Sequence, residues 1–166
     1  MAGTDALSSA SAVRANAAAN YDTKVGPAIN VALGYHFSDW VSAQAGYAWN
    51  RNRFIVSQLA GSTFSQSENT AVQSALTAEA MLYFRPRASR LRPYLSAGPA
   101  FLSLPNEQTA GLRVAVGIDV RWRRGWGVRY SFSEVMSSNP FAKTLNPPAA
   151  GKLMNFQNLF GVTKTF

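Results

Sequence analysis

Cysteine is absent from this sequence and histidine occurs once, which excludes a disulfide framework, a thiolate metal site and a multi-histidine site. No run of about 18 or more apolar residues exists, so a membrane-spanning helix is excluded as well. Charge is scarce: 14% of residues are charged against 47% hydrophobic, and a water-soluble domain of 166 residues normally carries more. That balance points to a surface that meets something other than water. The opening "MAGTDALSSASAVRANAAAN" lacks the basic start and apolar core of a secretory signal, so an exported form is expected to begin downstream of its signal. The length suits one domain.

The scarce charge is mostly of one sign, +8 overall. Arg85, Arg87, Arg90 and Arg92 crowd one short connection and Arg121, Arg123 and Arg124 another, without the interleaved aromatic platform of an RNA-binding sheet. Solvated turn residues and attraction to anionic lipid head groups are the readings that remain, and nucleic acid is not expected as a partner.

What the sequence does have is period-2 alternation. In "VGPAINVALGYHF", Val25, Pro27, Ile29, Val31, Leu33, Tyr35 and Phe37 share one parity, against Gly, Ala, Asn and His on the other. "WVSAQAGYAWN" repeats it after the turn residues Ser38 and Asp39. Further strands are expected over 75–84, in "RPYLSAGPAFLSL" despite Pro93 and Pro99, in "GLRVAVGIDVRW", in "WGVRYSFS" and over 152–166. Seven strands are readable.

The faces decide the solvent. If the apolar parity filled the interior of a soluble barrel, the exterior would be Gly, Ala, Ser and Asn, a poor solvated surface. Inverting the assignment puts apolar side chains toward lipid and small or polar ones in a narrow lumen. No charge lies on the apolar parity of the first, fifth and sixth of these strands, as expected where a lipid-facing Arg or Lys near the midplane costs roughly 2–4 kcal/mol. Tyr35, Phe37, Trp40, Phe84, Trp122, Trp126 and Phe166 gather beside the short connections, where an interfacial girdle belongs. The links near 51–73 and 136–151 are long and polar and read as external loops, with a shorter external link near 105–109.

The motifs "GYAWN", "LRPYLSAGPAF", "WGVRYSF" and the terminal "NFQNLFGVTKTF" resemble the small outer-membrane β-barrel proteins of Gram-negative bacteria, the outer-membrane-protein-A and X type, over about residues 24–166. The resemblance implies an all-β, antiparallel, up-and-down transmembrane barrel of eight strands in the outer membrane. It also implies that Phe166 belongs to the signal read by the barrel-assembly machinery. Lys164 departs from the family, standing on the lipid parity where an apolar residue is common, though near the interface it can snorkel. Seven strands also conflict with an even count. The first strand is therefore expected to be weak or missing, with residues 1–23 a flexible or truncated segment and 24–166 the barrel domain.

The lumen parity carries Glu79, Arg113, Asp119, Arg121 and Arg129. A three-residue turn with Gly125 in the left-handed region sets Trp122 opposite Trp126, and so Asp119 opposite Arg129. An ion-pair network plugging the lumen is expected, with a gate or narrow ion path as the functional counterpart. No catalytic group is expected: lipid-modifying barrels need a nucleophile and base at the external rim, whereas His36 sits at the other rim and Ser131, Ser133 and Glu134 have no histidine partner. The glycines open no phosphate-binding loop, and no cofactor or metal is expected. The expected role is a scaffold presenting the external loops to a partner of unknown identity, with outer-membrane lipids around it. A narrow pore or ligand-binding barrel is the alternative, and a soluble barrel for an apolar ligand a third.

Overall fold

The computed structural model describes all residues except 15, 105, 106, 144 and 150, and no side chain of 140 or 141. The strands in chain order are β1 (Ala2–Leu7), β2 (Ala10–Arg14), β3 (Ala17–Lys24), β4 (Gly26–His36), β5 (Val41–Ala60), β6 (Thr63–Tyr83), β7 (Leu91–Ser103), β8 (Gln108–Arg121), β9 (Trp126–Ser138) and β10 (Lys152–Lys164), with one helical turn, α1 (Pro140–Lys143), before the last. Every pairing is antiparallel. The pairing of β5 with β6 closes β1, β4, β5, β6, β7, β8, β9 and β10 into an eight-stranded ring. β1 is short, so from Val31 to His36 β4 has no strand partner among the described residues on the side facing β10.

The expectation for residues 1–23 is corrected. β1 pairs with β10 from Ala2↔Phe160 to Leu7↔Asn155 and with β4 from Ala2↔Ile29 to Asp5↔Gly26, so it is the eighth staff of the ring. β2 and β3 form a hairpin above it. These residues read poorly as strand because Ala, Ser and Thr give little contrast between faces, while backbone hydrogen bonds to flanking strands suffice to hold them.

Faces are inverted relative to a water-soluble barrel. Ile29, Val31, Leu33, Leu76, Leu82, Phe101, Leu112, Val116, Phe160 and Val162 stand exposed on the outer wall, while Asp5, Asn52, Glu79, Arg92, Ser96, Arg113, Ser131 and Ser133 are buried inside. Even an outward amide is paired: Tyr130 Oη donates to Asn158 Oδ1 at 2.9 Å. A proline is tolerated in β7 because Pro93 sits near its end, and its carbonyl still accepts from the Phe84 amide at 3.0 Å. Gly98 serves a close approach of strands: a side-chain carbon there would fall on the Ala78 carbonyl of β6.

The two ends differ. At one, short connections join β4 to β5, β6 to β7 and β8 to β9. Ser38 Oγ accepts from the amides of Trp40 and Val41 at 3.2 and 3.0 Å in the first, and Arg124 (φ 55°) and Gly125 (φ 78°) take the left-handed region in the last, with the Trp122 amide donating to the Trp126 carbonyl at 2.7 Å. At the other end the expected long loop over 51–73 is corrected: β5 and β6 stay paired from Val41↔Leu82 to Ala60↔Thr63, turning at Gly61 (φ 61°). A 20-residue strand is about 66 Å long, more than twice the apolar band of about 25 Å, so the upper half projects beyond it. β3 pairs with this projection from Ala17↔Ala60 to Lys24↔Arg53, making a four-stranded sheet, β2-β3-β5-β6, that stands above the ring.

The connection over 136–151 is strand as far as Ser138, and described residues beyond it pack on β3 of the projecting sheet. Ala142, Leu145 and Ala149 pack on Ala19 and Tyr21, with Ala10, Ala12 and Val56 beside them, in a small apolar core outside the ring. Asn139 caps the turn, its Oδ1 accepting from the Ala142 amide at 3.0 Å and its Nδ2 donating to Tyr21 Oη at 2.6 Å. Lys143 reaches Glu107 at 3.6 Å, linking this segment to the β7–β8 connection, of which residues 105 and 106 lie outside the described residues.

Candidate functional site

Polar side chains fill the lumen in layers, because alternate residues of each strand must point inward and the sequence places Ser, Thr, Asn, Gln and the buried charges Asp5, Glu79, Arg92, Arg113, Asp119 and Arg129 on that parity. The layer nearest mid-height is built on Glu79 of β6. Arg113 of β8 forms an ion pair with Glu79 Oε1, Ser96 Oγ of β7 donates to Oε2 at 2.7 Å, and Thr77 Oγ1 donates to Oε1 at 3.2 Å. The two charged side chains are 1% and 3% exposed, so solvent screening scarcely weakens the pair. Beside Arg113 a cavity of about 10 Å³, room for a single water, lies between Asn50, Gln73, Thr77, Asn155 and Gln157.

Below, toward the short turns, Asp119 of β8 faces Arg129 of β9 in register. The guanidinium clasps the carboxylate with Nε on Oδ1 at 2.5 Å and Nη2 on Oδ2 at 2.8 Å, the fork geometry that makes arginine–carboxylate pairs strong. Nη1 reaches across to Gln44 of β5 at 2.5 Å. Tyr83 Oη of β6 accepts from Arg129 Nη2 and donates to Asp119 Oδ2, both at 3.1 Å. Tyr94 lies beneath the guanidinium, 5.0 Å away, and Arg92 stacks on the Tyr83 ring at 3.7 Å. Strands β5, β6, β7, β8 and β9 are thereby bridged across the interior.

A third polar layer lies at the level of β1. Asp5, fully buried, accepts from Asn50 Nδ2 at 2.6 Å and from Asn52 Nδ2. Between the clasp and the turn end a space of about 660 Å³ remains, lined among others by His36, Arg87, Arg92, Arg121 and Lys164, and on the unpaired side between β4 and β10 by Met1, Val31, Leu33 and Val162.

Of the sequence-predicted lumen residues, Glu79 meets Arg113 and Asp119 meets Arg129, in two separate clusters. Arg121 joins neither: it is half-buried and donates to the Arg87 carbonyl, fastening a turn. Gln44, Thr77, Tyr83, Tyr94 and Ser96 were missed as partners although their inward parity was visible in the sequence, and Asp5 was missed because its segment read as a tail. Trp40, Trp122, Trp126 and Phe166 stand exposed at the turn end; β10 stops at Lys164, and Phe166 follows it, fully exposed. Lys164 lies 5.0 Å above the Trp126 ring and donates to the Arg124 carbonyl at 2.6 Å, which settles its charge at the rim.

An antiparallel ring of eight strands, apolar outside and polar inside, marks a membrane-spanning β-barrel, since lipid suits the outer apolar parity and the polar parity needs the lumen. More specifically, residues 3–159 match the outer membrane protein β-barrel domain, and the chain belongs to that family. No curated protein matches the sequence. The described residues hold no helix long and apolar enough to cross a membrane, which says nothing against crossing by strands.

Proposed function

We propose that this outer-membrane barrel protein acts in a Gram-negative bacterium as a non-catalytic scaffold, its lumen closed to passage, presenting the β2-β3-β5-β6 sheet to an extracellular partner. The single observation that carries the reading is the pair of bridged charged layers across the lumen, with one-water space between side chains at mid-height. The projecting sheet supports the presenting role: along β6, Thr63–Thr70 is exposed and, Phe64 apart, polar, surface that neither the ring nor a core explains. The aromatic residues at the turn end serve as the interfacial girdle, and Phe166 as part of the signal for the barrel-assembly machinery. No catalytic role is assigned, because His36 stands at the turn end, tilted over Tyr83 at 5.6 Å between centroids, away from Ser131 and Ser133.

The test is single-channel recording in planar bilayers, wild type beside a variant with Glu79, Arg113, Asp119 and Arg129 all replaced by Ala. A silent wild type and a conducting variant support the closed scaffold. Steady ion conductance by the wild type would favour the narrow pore, a reading that the turn-end space of about 660 Å³ keeps in view.

A further inference from the structure

The positive charge of the molecule is not spread evenly. Arg85, Arg87, Arg90, Arg121, Arg123, Arg124 and Lys164 stand at the turn end, seven of the sixteen cationic residues, and Asp39 is the one carboxylate side chain in the connections there. The other nine share the rest of the molecule with seven acidic residues, and four of the nine are in ion pairs: Arg53 with Glu68, Arg113 with Glu79, Arg129 with Asp119 and Lys143 with Glu107. The seven cations occupy one sector, from the β6–β7 turn through the β8–β9 turn to the end of β10, while Asp39 lies in the β4–β5 turn outside it.

That sector is a rigid platform. The Arg121 amide donates to the Arg90 carbonyl at 2.6 Å and its side chain to the Arg87 carbonyl, which ties the β6–β7 and β8–β9 turns together. The Thr165 amide donates to the Gly125 carbonyl at 2.8 Å, which ties in the end of β10. Arg85, Arg90, Arg123 and Arg124 remain exposed, flanked by exposed Phe84, Leu91, Trp122 and Trp126. Aromatic rings at the hydrocarbon boundary fix the depth of the barrel, and arginines one residue beyond them lie at the level of lipid phosphates. Arg124 adds a second line of argument: it is the one non-glycine described residue with positive φ, a conformation L side chains disfavour and glycine or asparagine would adopt more readily. An arginine held where the backbone works against it points to a use for its side chain.

We propose that this sector recruits anionic phospholipid, a phosphodiester of the phosphatidylglycerol type, from the leaflet that the turn end faces. The inference rests on the membrane reading above and adds the lipid class and the residues that select it. Guanidinium groups pair with phosphate in bidentate fashion, and two tied turns present four of them without reordering. The aromatic flanks favour a lipid surface over an acidic protein as the occupant, because they place the charges within the interface.

The experiment places the refolded protein in phosphatidylcholine bilayers and measures, by electron paramagnetic resonance, the relative association of spin-labelled phosphatidylglycerol and spin-labelled phosphatidylcholine. Wild type should favour phosphatidylglycerol by roughly fivefold at low salt, the effect of one basic side chain near an anionic surface, and less at high salt. R85Q/R90Q/R123Q/R124Q should bring the ratio close to one, whereas R14Q/R51Q/R53Q/K152Q, with the same change in charge elsewhere, should leave it intact. R124G keeps the turn conformation and should lower the preference without loss of stability, which separates a lipid role from a structural one. Equal association of both lipids with wild type, or a preference that the turn-end quadruple variant retains, overturns the proposal while leaving the barrel standing. Failure of wild type to fold in any bilayer overturns both.

Discussion

Replacing Arg113 by Met tests the mid-lumen pair most sharply. The substitution keeps an unbranched side chain of similar reach and removes the charge that faces Glu79. What remains around the carboxylate is Ser96 and Thr77, two neutral donors at 2.7 and 3.2 Å, each worth about 0.5–1.5 kcal/mol net in a typical case. They do not replace a cation, so Arg113→Met should cost about 3–5 kcal/mol, the penalty for an uncompensated buried charge. Glu79→Met should cost a similar amount by stranding Arg113, whose Nε already lacks a described partner. The double variant E79M/R113M removes both charges and should lose far less than the sum, or even gain, because an apolar pair of similar volume carries no desolvation penalty. The interaction energy in the cycle is thus expected near 3 kcal/mol or above. Reversible urea unfolding in detergent, followed by tryptophan fluorescence and by gel migration of unheated samples, measures all four proteins. Single losses below about 1 kcal/mol that add in the double variant would refute the reasoning, since they would mean the pair is hydrated rather than buried.

Two further predictions concern other parts of the fold. Tyr21→Phe removes the acceptor of the Asn139 amide and should loosen the 139–151 segment from the projecting sheet, by about 1–3 kcal/mol locally, read as faster proteolysis within that segment while the ring stays resistant. Burial pushes the Tyr21 phenol up from its usual pKa near 10, so the neutral form is the one the fold favours; this contribution is complete below that value and is lost as pH rises through the raised pKa, which should appear as alkaline release of the segment in wild type and not in Tyr21→Phe. Gly98→Val sets a side chain against the Ala78 carbonyl and should part β6 from β7 at that point, with a loss of about 1–3 kcal/mol in urea unfolding.

Most of the ring could be read from the sequence because lipid on one side and a narrow lumen on the other impose opposite demands on alternate residues. "GLRVAVGIDVRW" shows that contrast at every step, and β8 runs over it as Gln108–Arg121. Contrast fails where both faces meet water or small residues. Residues 51–73 hold no apolar parity, Phe54, Ile55 and Val56 standing in a row and 57–70 being mostly polar, which composition alone renders as loop, although β3 supplies a partner strand that the sequence does not advertise. β1 fails for the same reason, with Ala2, Thr4 and Ala6 outside and Gly3 within. In the lumen, register arguments from the RRG turn reach Asp119 and Arg129, because they depend on counting from one local feature. Arg113 with Glu79 depends on strands two places apart, and Tyr83 with Arg129 on strands three apart, distances across the barrel that alternation does not encode. Arg121 shows the reverse: inward parity at a strand end leaves a long side chain free to fasten a turn instead.

The central claim is that lipid, not water, covers the apolar face. Refolding from urea into detergent micelles and into buffer alone, read by far-ultraviolet circular dichroism and by the gel migration of unheated against heated protein, tests it directly. A β-spectrum with a migration shift only in detergent is the predicted result. Cooperative folding in plain buffer, with the exposed Val31, Leu33, Leu76 and Phe160 turned to an interior, would contradict it.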